Sequence, residues 1–103
     1  MRFDFLVLAT GYTYDYPIKG NDHVDTIAER KQEIKEFGKK IQRANSIMVA
    51  GNDATAIELM GELVAKYHGQ KKLMLYTNPR GFLPDFNPKV GNLAREHLLN
   101  LGV

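Results

Sequence analysis

An α/β fold, built as a partial parallel β-sheet with crossover helices, is the architecture this 103-residue chain predicts. Three observations lead to it. Short apolar runs at residues 3–9, Ser46–Ala50 and Lys72–Tyr76 alternate with longer stretches of helical periodicity, and such alternation is the mark of parallel strands joined by crossover helices. Each run gives way at once to a turn rich in Gly, Asn, Asp or Pro. The stretch from 47 to 76 has the ~30-residue length of one β-α-β unit.

The first run, Phe3-Asp4-Phe5-Leu6-Val7-Leu8-Ala9, is apolar on both faces and predicts a buried strand ending at Thr10-Gly11, because a two-sided apolar strand must be covered on both sides. Tyr12-Thr13-Tyr14-Asp15-Tyr16-Pro17 and then Gly20 predict a turn-rich connector. A helix follows, from residue 22 or 25 to 44. Val24, Ile27, Ile34, Phe37 and Ile41 fall on one stripe, and the charged residues lie mostly outside it. Asp25 and Asp22 compete as its N-cap, and Asn45 stops it.

Ser46–Ala50 predicts a second buried strand, Gly51-Asn52-Asp53 a tight turn, and Ala54–Tyr67 a second helix. That helix carries Ile57, Met60, Val64 and Tyr67 on one face, widened by Leu59 and Leu63, and closes at His68-Gly69, where glycine supplies a left-handed C-terminal residue. Lys72–Tyr76 predicts a third buried strand. A loop through Thr77-Asn78-Pro79-Arg80-Gly81 leads to a last helix at about 88–101, ended by Gly102.

Composition narrows the function classes. A net charge of +2, with basic residues scattered, gives no field for nucleic acid. The chain has no cysteine, which excludes a disulfide framework, a thiolate metal site and a redox dithiol within it. His23, His68 and His97 stand far apart without acidic companions, so no metal site is expected. The apolar start is short and broken by Asp4, below what a signal peptide or membrane span requires. A soluble protein of the cytoplasm or an organelle is expected.

The chemistry concentrates at residues 51–56. A parallel strand, a Gly-rich turn and a helix make an anion site, because free N–H groups and the positive end of the helix dipole face the space beyond the strand. Dinucleotide turns of this kind read G-x-G-x-x-G. Here the six positions are Gly51, Asn52, Asp53, Ala54, Thr55 and Ala56. Only the first glycine is present, and Ala56 is a tolerable third residue. Asp53 sets a carboxylate where a diphosphate would rest, and like charges a few Å apart in a partly dry site repel by on the order of a few kcal/mol. The same residue has a structural reading as a helix N-cap, worth roughly 1 kcal/mol. Thr77 stands where an acidic residue ordinarily grips the adenine ribose. Arg80 just beyond is placed to meet a 2′-phosphate or simply to lie exposed in a loop.

With these residues in view, the chain resembles the pyridine-nucleotide-dependent flavoprotein oxidoreductases. Residues 3–11 look like the "ATG" strand that closes their flavin domain. Ala56-Ile57-Glu58-Leu59-Met60-Gly61-Glu62-Leu63 is similar to their nicotinamide-domain motif, commonly GGGxxGVELAGEL. Tyr76-Thr77-Asn78-Pro79-Arg80-Gly81-Phe82-Leu83-Pro84 resembles their post-strand loop, and Leu98-Leu99-Asn100-Leu101-Gly102-Val103 their L-x-x-x-G-V tail. The nearest flavour is the apoptosis-inducing-factor-like proteins and type II NADH dehydrogenases. The match runs over nearly the whole chain in the right order, which is more specific than any one motif.

The resemblance implies a Rossmann-like NAD(P)-binding domain at 21–103, incomplete, preceded at 1–20 by the end of an FAD-domain-like strand and a connector. It implies hydride transfer from NAD(P)H to FAD, then electrons to a quinone-like acceptor. Thr10 and Gly11 would lie near FAD. Gly51, Asn52, Ala54 and Thr55 would line the nicotinamide-dinucleotide phosphates, with Glu58 near the nicotinamide or its ribose and Thr77 at the adenine ribose. On the residues alone, Thr10-Gly11 is a strand-ending turn and Glu58 a first-turn glutamate favoured by the helix dipole. The family's flavin-binding G-x-G-x-x-G and its later Gly-Asp segment are not in this sequence, so a complete FAD site is not expected. Neither FAD nor NAD(P) is expected to be held firmly, and the isolated chain is expected to be inactive as a fragment or diverged member. The alternative is a non-catalytic Rossmann-like binding module that has lost its cofactor. The apolar first strand is also expected to make the chain self-associate or find a partner.

Overall fold

The computed structural model describes residues 2–11, 14–20 and 23–103. The chain divides into two compact units, Met1–Lys40 and Ile41–Val103. Tyr12, Thr13 and Asp22, which belong to the expected connector and N-cap, lie outside the described residues.

In the second unit, β1 (Ser46–Ala50) and β2 (Lys72–Tyr76) pair in parallel with Ser46 opposite Lys72 and Ala50 opposite Tyr76. Parallel pairing requires a crossover, and α2 (Ala54–Tyr67) supplies it. Five residues of α2 are buried: Ala56, Met60, Leu63, Val64 and Tyr67. Their spacing of four, three, one and three residues is that of one helical stripe. Met60 is fully enclosed and sits in one cluster with Leu63, Val64, Tyr67, Leu73 of β2 and Leu98 of α3 (Pro88–Asn100). Burying side chains of this size stabilises by roughly 1.5–3 kcal/mol each.

The helix ends follow local chemistry. Gly69 (φ 70°) and Gly102 (φ 82°) take the left-handed conformation just beyond α2 and α3, as the sequence predicts. Asn87 caps α3 by accepting from Lys89 N–H, ahead of Pro88 in the first turn. Lys71 donates through Nζ to the carbonyls of Gln42 (2.8 Å) and Ala44 (2.6 Å). A cation there satisfies orphan carbonyls and meets the negative end of the preceding helix. The same ammonium lies 4.9 Å from the Tyr67 ring centroid, within cation–π range.

Three expectations change. Residues 3–9 form no strand: Phe5 is 92% exposed, and Phe3, Leu6, Val7 and Leu8 are also exposed. A strand needs a hydrogen-bonding neighbour, and the sheet formed by the described residues contains only β1 and β2. Nor is β1 buried on both faces. Ile47 and Val49 pack against the core while Met48, pointing the other way, is 62% exposed, the period of two that any strand imposes. The first helix, α1 (Ile27–Arg43), is shorter than predicted and has no buried residue. Ile27 and Ile34 of its stripe are exposed, and Phe37 meets the Tyr16 ring edge-on at 5.7 Å.

The N-cap of α1 is Thr26 rather than Asp25. Thr26 Oγ1 accepts from Glu29 N–H, and Thr26 N–H donates back to the Glu29 carboxylate at 3.0 Å, a reciprocal capping box. The Thr26 hydroxyl also donates to Glu29 Oε2 at 2.7 Å. Chiefly through that hydroxyl, the Glu29 carboxyl titrates below its ordinary value. A depressed carboxyl contributes stability above its unfolded pKa and loses it as pH falls through the folded one. Wild type is therefore expected to be more helical than Glu29→Gln at pH 7, with the gap closing on acidification below the usual carboxylate range. Circular dichroism at 222 nm checks this, and a gap that persists at low pH contradicts the cap.

Candidate functional site

β1 and β2 end side by side, with Ala50 opposite Tyr76, so the turns after them, which carry most residues selected from the sequence, start at one edge of the sheet. Gly51 continues the ladder by donating to the Tyr76 carbonyl at 3.0 Å. A Cβ placed on Gly51 would stand 2.7 Å from Ala56 Cβ. The start of α2 therefore lies against the strand end at a distance only glycine permits. The pair of small residues, Gly51 and Ala56, does the packing that the first and third glycines do in a dinucleotide turn.

Asp53 is the N-cap of α2. Its backbone is extended (φ −89°, ψ 177°), and Oδ1 accepts from Ala56 N–H at 2.9 Å. An Asp at this position completes one of the orphan donors of the first turn. The carboxylate thus uses a backbone amide of the set that would face a bound anion. Ala54 and Thr55 lie half-buried in the same first turn. Glu58 is exposed and is the fifth residue of α2, beyond its first turn, which holds no acidic residue. The first-turn reading of Glu58 is accordingly corrected, since the dipole effect fades within the first turn.

A second tie links this turn to the loop after β2. Asn52 Nδ2 donates to Asn78 Oδ1 at 2.8 Å, and the same oxygen accepts from Arg80 N–H at 2.9 Å. The Asn52 carbonyl accepts from Leu83 N–H at 2.8 Å. The β1–α2 turn and the β2–α3 loop are thereby joined, and Thr77, the first residue of that loop, is half-buried. Asn78 carries no motif that marks it for this role. Its Asn-Pro step marks a turn, but only the pairing of β1 with β2 shows that it faces Asn52. Thr10 and exposed Gly11 (φ 77°) belong to the other unit.

Beyond Thr77 the loop and α3 enclose a cleft of about 520 Å³. Its tightest wall is the approach of Gly91 to Phe82, where a Cβ would stand 2.3 Å from the Phe82 carbonyl oxygen. Leu83, buried in the same wall, has φ 48°, a conformation a branched side chain seldom adopts. Arg80 pairs with Asp85 at 2.7 Å, both exposed. Among the described residues, no three His, Asp or Glu side chains gather at metal-ligand spacing, and no helix is long and apolar enough to cross a membrane.

Comparison with known proteins gives consistent relatives. The chain is 26% identical to ferroptosis suppressor protein 1 of Taeniopygia guttata over 103 residues, all of this chain and 27% of that protein. It is 36% identical to apoptosis-inducing factor homolog B of Dictyostelium discoideum over 67 residues, 65% of this chain and 17% of the relative. Apoptosis-inducing factor homolog A of the same organism is 31% identical over 104 residues, 95% of this chain and 26% of the relative. No family model and no solved structure matches. The chain spans about a quarter of the length of the relatives it matches end to end. Its ordered motifs and these relatives place it with the apoptosis-inducing-factor-like pyridine-nucleotide oxidoreductases.

Proposed function

We propose that this chain is the nicotinamide-dinucleotide-type unit of an FAD-dependent NAD(P)H oxidoreductase, the class that passes hydride from NAD(P)H to FAD and electrons on to a quinone-like acceptor. By itself the segment catalyses no such transfer. The observation that carries this reading is the turn at 51–56. It keeps the strand–turn–helix geometry and the close Gly51–Ala56 packing, and one relative, from Pestalotiopsis fici and 28% identical over 105 residues, is named as an oxidoreductase. The same turn does not fit a diphosphate as built, because Asp53 already caps Ala56 and sets its charge against the ligand. Thr10 and Gly11 remain the positions proposed to lie near FAD, and Glu58 and Thr77 those proposed for the nicotinamide side and the adenine ribose.

A second reading, a Rossmann-like binding module without catalysis, is favoured by that same cap. Titration with NADH and NADPH, followed by nicotinamide fluorescence, separates the two. Saturable wild-type binding below ~100 µM, about −5.5 kcal/mol, supports a working dinucleotide domain. Absence of such binding in wild type and its appearance in Asp53→Gly supports the module, descended from an enzyme whose cradle has closed on its own side chain. Loss of the cap costs that variant little stability, since glycine replaces a capping residue for only a few tenths of a kcal/mol.

A further inference from the structure

We infer that the exposed face of α1 over residues 27–40 docks an acidic amphipathic helix of a partner protein. Lys31, Lys35 and Lys39 are its charge partners, and Ile27, Ile34 and Gly38 form its apolar seam. This surface lies wholly in the first unit, and it does not depend on dinucleotide binding. α1 has no buried residue, and Ile27 and Ile34 are 77% and 55% exposed. They stand one heptad apart in the sequence, the spacing that keeps side chains on the seam of a helix pair.

Charge decides what this face accepts. Lys31, Lys35 and Lys39 are exposed at successive turns of α1, so they form one row beside the two isoleucines. None of the three has an ion pair among the described residues. The acids of α1 lie round the other side, and each is engaged within the chain: Glu29 accepts from Thr26, Glu33 pairs with Arg30, and Glu36 accepts from Gln32 at 2.7 Å. The flank beyond the isoleucines is covered locally, by Phe37 against the Tyr16 ring and Arg30 beside Gly20.

Gly38 falls on the bare face, one turn after Ile34, and a Cβ built there meets nothing within 4 Å. Glycine inside a helix costs stability relative to alanine. A second helix, however, approaches closest where the side chains between the two are smallest. Two isoleucines and a glycine give little apolar bulk for an interfacial membrane helix, which sinks a face of large apolar residues among the acyl chains. A row of cations along a heptad-spaced seam instead suits a helix with its own apolar seam and flanking carboxylates.

The test is nitrogen-15 NMR of the whole chain titrated with a capped helical peptide of about 21 residues, with Leu at a and d, Glu at e and g and Ala elsewhere. The same peptide with Lys at e and g is the control, and vesicles of phosphatidylserine with phosphatidylcholine are titrated separately. The expected result is saturable movement of the Ile27, Lys31, Ile34 and Gly38 amides by the acidic peptide, half-complete below ~1 mM, with the basic peptide at least ~10-fold weaker. The triple variant Lys31→Gln, Lys35→Gln, Lys39→Gln is expected to weaken binding at least ~10-fold with the circular dichroism spectrum unchanged. Gly38→Leu is expected to raise helicity yet weaken the acidic peptide, because it fills the point of closest approach. The inference is overturned if the acidic peptide moves none of these amides saturably, if the basic peptide binds as well, or if the triple variant binds like wild type. It is also overturned if Gly38→Leu tightens peptide binding. Vesicle binding without peptide binding overturns it too, and would assign the face to a lipid surface.

Discussion

Replacing Met60 by alanine is expected to lower the unfolding free energy by about 2–5 kcal/mol, the range for deleting a long apolar side chain from a core. Met60 is completely enclosed, and it joins the buried stripe of α2 to Leu73 of β2 and Leu98 of α3. Removing it leaves a void that three elements would have to close together, which a packed core does only in part. Helix propensity favours alanine over methionine only slightly, so the packing loss decides the sign. A domain of this size is stable by only about 5–15 kcal/mol, and the change would be plain in urea unfolding. A loss below about 1 kcal/mol would mean that α2 does not pack on the sheet in this way.

The second large effect concerns Gly91. Glycine within an exposed helix ordinarily costs about 1 kcal/mol relative to alanine. By propensity alone, then, Gly91→Ala would stabilise α3. The structure predicts the reverse, because the added Cβ would stand 2.3 Å from the Phe82 carbonyl oxygen and 3.2 Å from its carbon. That obstacle is backbone and cannot rotate away. A net destabilisation of roughly 1–3 kcal/mol is expected, typical of overpacking. Gly61, inside α2, is the internal control. Nothing lies within 4 Å of a Cβ built there, so Gly61→Ala is expected to stabilise by about 0.5–1 kcal/mol. Opposite signs for the two variants in parallel urea melts check the contact, and two stabilising substitutions contradict it.

How much of this was legible in the residues depended on whether the cause was local. The bounds of β1, α2 and β2 could be read directly, because each carries its own period and its own punctuation. Gly69 and Asp53 act through neighbours one turn away, so both caps could be anticipated. The Thr26–Glu29 box is equally local, a Thr-x-x-Glu spacing, although Asp22 and Asp25 nearby carry competing N-cap signals. Residues 3–9 failed for a different reason: apolar composition states a need for cover, and only a paired neighbour makes a strand. The Asn52–Asn78 bridge spans 26 residues, and the Gly91–Phe82 contact depends on where α3 lands after a loop. Neither leaves a spacing signal. At the site, Gly51 and Asp53 could be read, whereas the cleft beyond Thr77 emerged only from the fold.

That a carboxylate of the chain itself fills the cradle of a dinucleotide turn is tested most directly at the Ala56 amide, the donor that Asp53 takes. The measurement is the nitrogen-15 chemical shift of Ala56 during titration with NADH, in wild type and in Asp53→Gly. The expected result is a wild-type resonance unmoved up to about 1 mM NADH, equivalent to binding weaker than about −4.1 kcal/mol, and a saturable shift in the glycine variant. A saturable Ala56 shift in wild type, half-complete below ~100 µM, would show a diphosphate seated on the turn with the Asp53 side chain displaced, and would contradict the claim.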